Sequence, residues 1–179
     1  IEGHEVGLHG GKNHELWNRF AEDWQREKVE EELAWGIRKL KDIQPSMEIA
    51  GFAGPHWKNS KTIRRHLKNL DFAYVSDFHT DRPHQELKSN DGLNEVPVNI
   101  VGEPRGVGYL EWCRANGMSD EELLSDFETK LMERDKLAVV YDHPYYSGVK
   151  ELEIINEMLN IAKRNKFNIV TLKEVVGGV

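Results

Sequence analysis

The chain reads as an α/β fold built from parallel βαβ units, on three observations. Short apolar runs alternate with longer stretches of helical periodicity along all 179 residues. Three histidines, His9, His56 and His143, each fall at or just past the carboxyl end of one of those runs. The run Leu137–Tyr141 is nearly all apolar, as a strand covered on both faces should be.

Each element has its own signal. Val6 and Leu8 alternate with small or polar residues, which predicts a short strand running into a Gly10-Gly11 loop. Leu16, Trp17, Phe20 and Trp24 are expected on one helical face, and Val29, Leu33, Ile37 and Leu40 continue the helical spacing until Pro45. Met47–Phe52 predicts a strand ending at Gly54-Pro55, and Ser60 an N-cap for a helix through Leu70. Phe72–Val75 is the next strand. Residues 79–93 are polar, contain Pro83 and Gly92, and read as a surface loop. Glu95–Val101 reads as a strand, after which Gly102, Pro104, Gly106 and Gly108 break the chain. Ser119 with Glu122 forms a capping box for a helix to about Asp135. A helix from Ser147 through Lys166 and a strand Asn168–Leu172 complete the order. With no repeat, low-complexity stretch or linker, residues 1–179 read as one domain.

Composition narrows the function. Charged residues make up 31% and apolar ones 39%, ordinary for a soluble globular protein. A formal net charge of −7 argues against a nucleic-acid surface. The single cysteine, Cys113, excludes an internal disulfide and points to a reducing, cytoplasmic compartment. No apolar run is long enough to span a membrane and no signal peptide is visible.

Glycines beside paired histidines at a strand end suit a divalent metal, because imidazole is a common ligand and glycine lets the backbone approach closely. Active sites of α/β sheets and barrels form at that strand end, so His9, His56 and His143 are expected to serve one site there.

Four stretches, in order, resemble the polysaccharide deacetylase family (NodB-homology, carbohydrate esterase 4). Gly3-His4-Glu5-Val6-Gly7-Leu8-His9 resembles its second motif, Gly51-Phe52-Ala53-Gly54-Pro55-His56-Trp57 its third, Asp71-Phe72-Ala73-Tyr74-Val75-Ser76-Asp77 the strand that follows, and Val139-Val140-Tyr141-Asp142-His143-Pro144 its final His-Pro motif. Phe167–Val175 is similar to the family's last strand and turn. The resemblance implies an irregular (β/α) barrel of about seven strands and metal-dependent removal of an N-acyl group, acetyl or formyl, from an amino sugar or polysaccharide. Zinc is the usual metal.

Carried onto this sequence, the resemblance makes His9 the first metal ligand, His143 the acid that protonates the leaving amine, and the His56 backbone N–H an oxyanion donor. The His56 side chain could equally pack beside Trp57. Asn13 stands where the family places a second histidine, with His14 one residue later; Trp17, three beyond His14, favours His14 as the ligand through a one-residue insertion in the glycine loop. Trp57, Asp77, His79 and Trp112 are candidates to line the substrate cleft, Trp112 with core packing as the alternative. Asp142 is not expected to orient the His143 ring, since neighbouring strand residues point to opposite faces.

Three departures are plain. No Asp-Asp pair occurs, so the family's first motif, which supplies the base and a third metal ligand, is absent. Ala53 replaces the third-motif arginine. The chain starts at Ile1, which predicts a fragment lacking its first strand–helix–strand, with an unpaired edge open to association with a second copy. A relative that binds carbohydrate or a protein partner without hydrolysis is the alternative function.

Overall fold

The computed structural model describes residues 4–80, 88–90, 92–104 and 106–178; most of the polar loop expected at 79–93 lies outside these. The described residues form two compact units, the first drawn from residues 4–78, 88–96 and 171–178 and the second from 79–80 and 97–170.

The first unit carries a mixed sheet. Strands β1 (Gly51–Phe52), β2 (Tyr74–Val75), β3 (Lys88–Asn90) and β4 (Leu93–Glu95) lie in the order β1-β2-β4-β3. β1, β2 and β4 run parallel, and β3 pairs antiparallel at the edge. Leu8 adds a parallel bridge to Phe52, so the expected first strand is present as one bridge. Around the sheet lie α1 (His14–Phe20), α2 (Arg26–Ile43), α3 (Lys61–Asn69) and α8 (Leu172–Gly177). Trp17, Val29, Leu33, Phe52, Ile63, Leu67 and Val75 form the core.

α1 and α2 are separate helices rather than one continuous face. α1 ends at Phe20, so Trp24 reaches Trp17 edge-on at 5.0 Å between ring centroids, while Leu16 and Phe20 are 42% and 49% exposed. The sheet meets α2 closely: a methyl on Gly36 would stand 2.6 Å from Leu8 Cδ1 and 2.8 Å from Gly10 O. At Gly51 a methyl would run into the ring of Tyr74, whose hydroxyl donates to Glu5 Oε1 at 2.7 Å.

The second unit is mainly helical: α4 (Tyr109–Ala115), α5 (Asp120–Met132), α6 (Pro144–Lys150) and α7 (Leu152–Arg164). The capping box of α5 forms as expected, Ser119 Oγ accepting from Glu122 N–H and Glu122 from Ser119 N–H. Parallel bridges His79–Val98 and Ile100–Val140 stand where longer strands were expected. The helix expected from Ser147 to Lys166 is instead the pair α6 and α7. Pro144 starts α6 early, a position where its missing N–H costs nothing. No strand forms over 168–172: residues 168–170 are irregular, Thr171 is the N-cap of α8 with Glu174, and Leu172 is its first residue. Ile100, Leu110, Cys113, Leu123, Phe127 and Ile161 form the second core. Among the described residues, no helix is long and apolar enough to cross a membrane.

Candidate functional site

In the first unit the main chain of Leu8 is clamped onto β1: its N–H donates to Gly51 O and its carbonyl accepts from Ala53 N–H, both at 2.9 Å. That pairing sets where His9 emerges. His9 Nδ1 stands 2.9 Å from Ala53 O. A carbonyl only accepts, so Nδ1 carries the proton and the neutral ring's lone pair is on Nε2.

The glycine loop then delivers the second imidazole. Gly10 has φ 73°, and a Cβ there would lie 2.5 Å from Pro55 Cγ. Lys12 N–H donates to the buried Glu32 carboxylate at 2.6 Å and pins the loop to α2. Asn13 Oδ1 accepts from Leu16 N–H at 2.9 Å, so Asn13 is spent as the N-cap of α1. His14 follows as the first residue of the helix, with its Nε2 3.1 Å from His9 Nε2. Trp17, fully buried, anchors α1 one turn later and donates from its indole to Lys58 O at 3.1 Å.

Lys58 closes the third piece, the 3₁₀ turn Pro55–Trp57. His56 and Trp57 both lie in the left-handed region, at φ 52° and 62°. For residues with a Cβ this costs about 1–2 kcal/mol each. The turn is fixed by Trp57 N–H to Gly54 O and Lys58 N–H to Pro55 O, both at 3.0 Å, and among the described residues no main-chain bond uses the His56 N–H. The exposed His56 ring lies 4.7 Å from that of His14, centroid to centroid.

The histidine pair fits a metal. Two imidazole nitrogens bound to one tetrahedral zinc at about 2.0–2.1 Å stand about 3.3 Å apart. The observed 3.1 Å is close to that, and the His9 Nδ1–H to carbonyl bond is the usual outer support of a ligating histidine.

The second unit holds a different constellation, around His143 at the N-cap of α6. His143 Nδ1 is 2.8 Å from Glu111 Oε2, and Nε2 is 2.9 Å from Tyr141 Oη. Asp142 does not touch the ring. Its Oδ1 accepts from His143 N–H and its Oδ2 from Leu110 N–H, each at 2.8 Å. Gly108 must lack a side chain because a Cβ would strike the Asp142 carboxylate. Burial pushes the Asp142 carboxyl up, against the pull of those two N–H groups. Burial also raises the Tyr141 hydroxyl, with Asp142 and Glu111 adding to it.

Glu111, Asp142 and His143 bring three donor atoms within 4.8 Å of one another. Both Asp142 oxygens and both ring nitrogens already have hydrogen-bond partners. Such a network suits proton transfer better than a cation cage. Glu111 escapes sequence reasoning: it lies 32 residues from its partner. Its one local signal is an acid in the first turn of a helix behind a glycine-rich break.

The remaining candidates are placed as follows. Trp57 is half-buried beside His56. Asp77 accepts from Asn59 Nδ2 and faces Arg64 Nη1 at 4.0 Å. His79 is half-buried at its bridge to Val98. Trp112 packs against the second core.

No protein-family profile matches the chain. A crystal structure from Mycobacterium smegmatis, of a protein assigned as a polysaccharide deacetylase, is similar to it with a TM-score of 0.67 and 20% identity, over 99% of this chain and 63% of that one. The chain thus has a deacetylase-like fold and spans less than two thirds of that protein's length.

Proposed function

We propose that the chain belongs to a metal-dependent hydrolase that removes an N-acyl group, acetyl or formyl, from an amino sugar or polysaccharide. The observation that carries this reading is the His9–His14 pair, with Nε2 atoms 3.1 Å apart and His9 Nδ1 held by Ala53 O. A divalent metal on that pair, zinc in the first instance, would acidify water and polarise the acyl carbonyl. The His56 N–H is the donor aimed at the developing oxyanion. Trp57 beside it is assigned to the substrate.

His143 supplies the leaving-group proton. In the imidazolium, Nδ1–H is held by the Glu111 carboxylate, which compensates the charge, and Nε2–H is the proton to give. After transfer, the Tyr141 hydroxyl donates to the Nε2 lone pair. The sequence has no Asp-Asp pair, which in the family supplies the base that deprotonates water. Ala53, in place of the family's arginine, favours the second reading, a carbohydrate-binding relative without turnover.

The test is release of acetate or formate by the full-length protein, loaded with zinc, from N-acetylglucosamine oligomers and N-formylated amino sugars. Turnover that disappears in His9→Ala and His14→Ala supports the hydrolase. Metal binding and sugar binding without turnover support the second reading.

A further inference from the structure

We infer that the hydroxyl of Tyr141 is the group that meets the leaving amine, passing on to it the proton that His143 holds and Glu111 steadies. This rests on the hydrolase reading above and deepens it: His143 is the proton store, and Tyr141 is the point of delivery.

The first argument is the occupancy of the imidazole. His143 Nδ1 lies 2.8 Å from Glu111 Oε2, and Nε2 lies 2.9 Å from Tyr141 Oη. The carboxylate only accepts, so Nδ1 keeps a proton whether the ring is neutral or charged. Nε2 is the nitrogen that gains and loses one, and the tyrosine hydroxyl stands on it. A hydroxyl both donates and accepts, so this one bond serves either state. Oη donates to the bare Nε2 of the neutral ring and accepts Nε2–H from the imidazolium. In the second state the hydroxyl turns its own proton away from the ring. As the scissile C–N bond breaks, the amine nitrogen takes the Tyr141 O–H proton, and Oη takes the proton from His143 Nε2. Tyrosine begins and ends as a phenol, the imidazolium becomes a neutral imidazole, and solvent restores its proton by the same path. Direct transfer from Nε2 would first require the Tyr141 bond to be broken.

The second argument is construction. Tyr141, Asp142 and His143 meet Tyr109, Leu110 and Glu111 in the same order. Tyr109 N–H donates to Tyr141 O at 2.8 Å, Leu110 N–H donates to Asp142 Oδ2 at 2.8 Å, and the third pair is Glu111 with the His143 ring. Tyr141 N–H is tied as well, to Ile100 O at 3.0 Å. The main chain thus fixes the segments that carry both ends of the relay. The Tyr141 and His143 rings meet edge-on, with centroids 5.3 Å apart and planes at 69°.

The third argument is the state of the phenol. Burial, with Asp142 and Glu111 adding to it, raises the Tyr141 hydroxyl above its ordinary value and keeps it protonated between turnovers. A phenol that stays protonated suits a relay and not a nucleophile, which would have to ionise. Tyr141 is half-buried rather than enclosed.

The experiment compares Tyr141→Phe with the parent, both full-length and zinc-loaded, on two substrates. One is an N-acetylated or N-formylated amino sugar, whose amine must be protonated to leave. The other is para-nitrophenyl acetate, whose phenolate leaves without a proton. Phenylalanine removes a single oxygen, and urea unfolding verifies that the fold is kept. General acid catalysis is worth about 10²–10⁴-fold, so kcat on the sugar should fall by about 100-fold or more, with less than a tenth of that factor lost on the ester. Turnover of the sugar retained or raised, as a directly acting His143 would give once Nε2 is uncovered, overturns the relay and leaves the hydrolase reading standing. Equal losses on both substrates also overturn the relay, because they mark a structural role. Nitrogen NMR of the histidine rings tests it without turnover: the neutral His143 ring is expected to carry its proton on Nδ1, and a proton on Nε2 overturns the relay. Parent protein that binds zinc and releases no acyl group from either sugar overturns the hydrolase reading and the relay with it.

Discussion

Gly36→Ala sets two effects of opposite sign against each other inside α2. In an open helix, replacing glycine by alanine gains about 0.8–1.0 kcal/mol. Here the new methyl would stand 2.6 Å from Leu8 Cδ1 and 2.8 Å from Gly10 O. The leucine methyl can rotate aside. Gly10 O is main chain, and it must retreat by a few tenths of an ångström from a loop that Glu32 and Pro55 already hold. Overpacking of this kind costs about 1–3 kcal/mol. The net expectation is a loss of about 0–2 kcal/mol, with the steric term winning. Gly10 directly follows His9, so the same shift should misalign the histidine pair and weaken zinc binding on the order of 10-fold, the lower end for an outer-sphere change. Urea unfolding and chelator competition measure the two effects. A stabilised variant with unchanged zinc affinity would show that α2 does not press on the His9 loop, and would refute the reasoning.

Three further outcomes are expected. Gly51→Ala drives a methyl into the buried Tyr74 ring and should destabilise by about 3 kcal/mol or more, or abolish folding, as read by urea unfolding. Glu111→Gln should lower kcat on the order of 10- to 100-fold while zinc content stays at the parent level, because Glu111 acts through His143 rather than on the metal; loss of zinc in this variant would contradict that division. Hydrogen bonds from Ser119 hold the Glu122 carboxyl below its ordinary value. Its contribution is therefore present above the unfolded carboxylate range and lost as pH falls through the folded value. The stability deficit of Glu122→Gln should accordingly be visible at pH 7, shrink as pH falls through the unfolded carboxylate range and be gone below the lowered folded value.

What the sequence disclosed was mostly local. Ser60 and Ser119 each satisfy an N–H three residues on, so a short window suffices to see them. His9 and His14 were legible through the glycines between them, and the structure gives Asn13 a competing use as a helix cap. The break between α1 and α2 was hidden because apolar spacing persists across Ala21–Gln25, where no Gly or Pro marks the turn. Expected strands at residues 95–101 and 137–141 shrink to single bridges beyond β4, since apolar content predicts burial and not ladder length. Glu111 was out of reach because its partner comes 32 residues later, and only the folded chain brings them together.

The central claim is that His9 and His14 hold a divalent metal. Anomalous diffraction at the zinc edge, from crystals of the full-length protein grown with zinc, tests it most directly. The account predicts a peak about 2.0–2.1 Å from Nε2 of both histidines. A peak at Glu111, Asp142 and His143 instead, or none at the histidine pair, would contradict it.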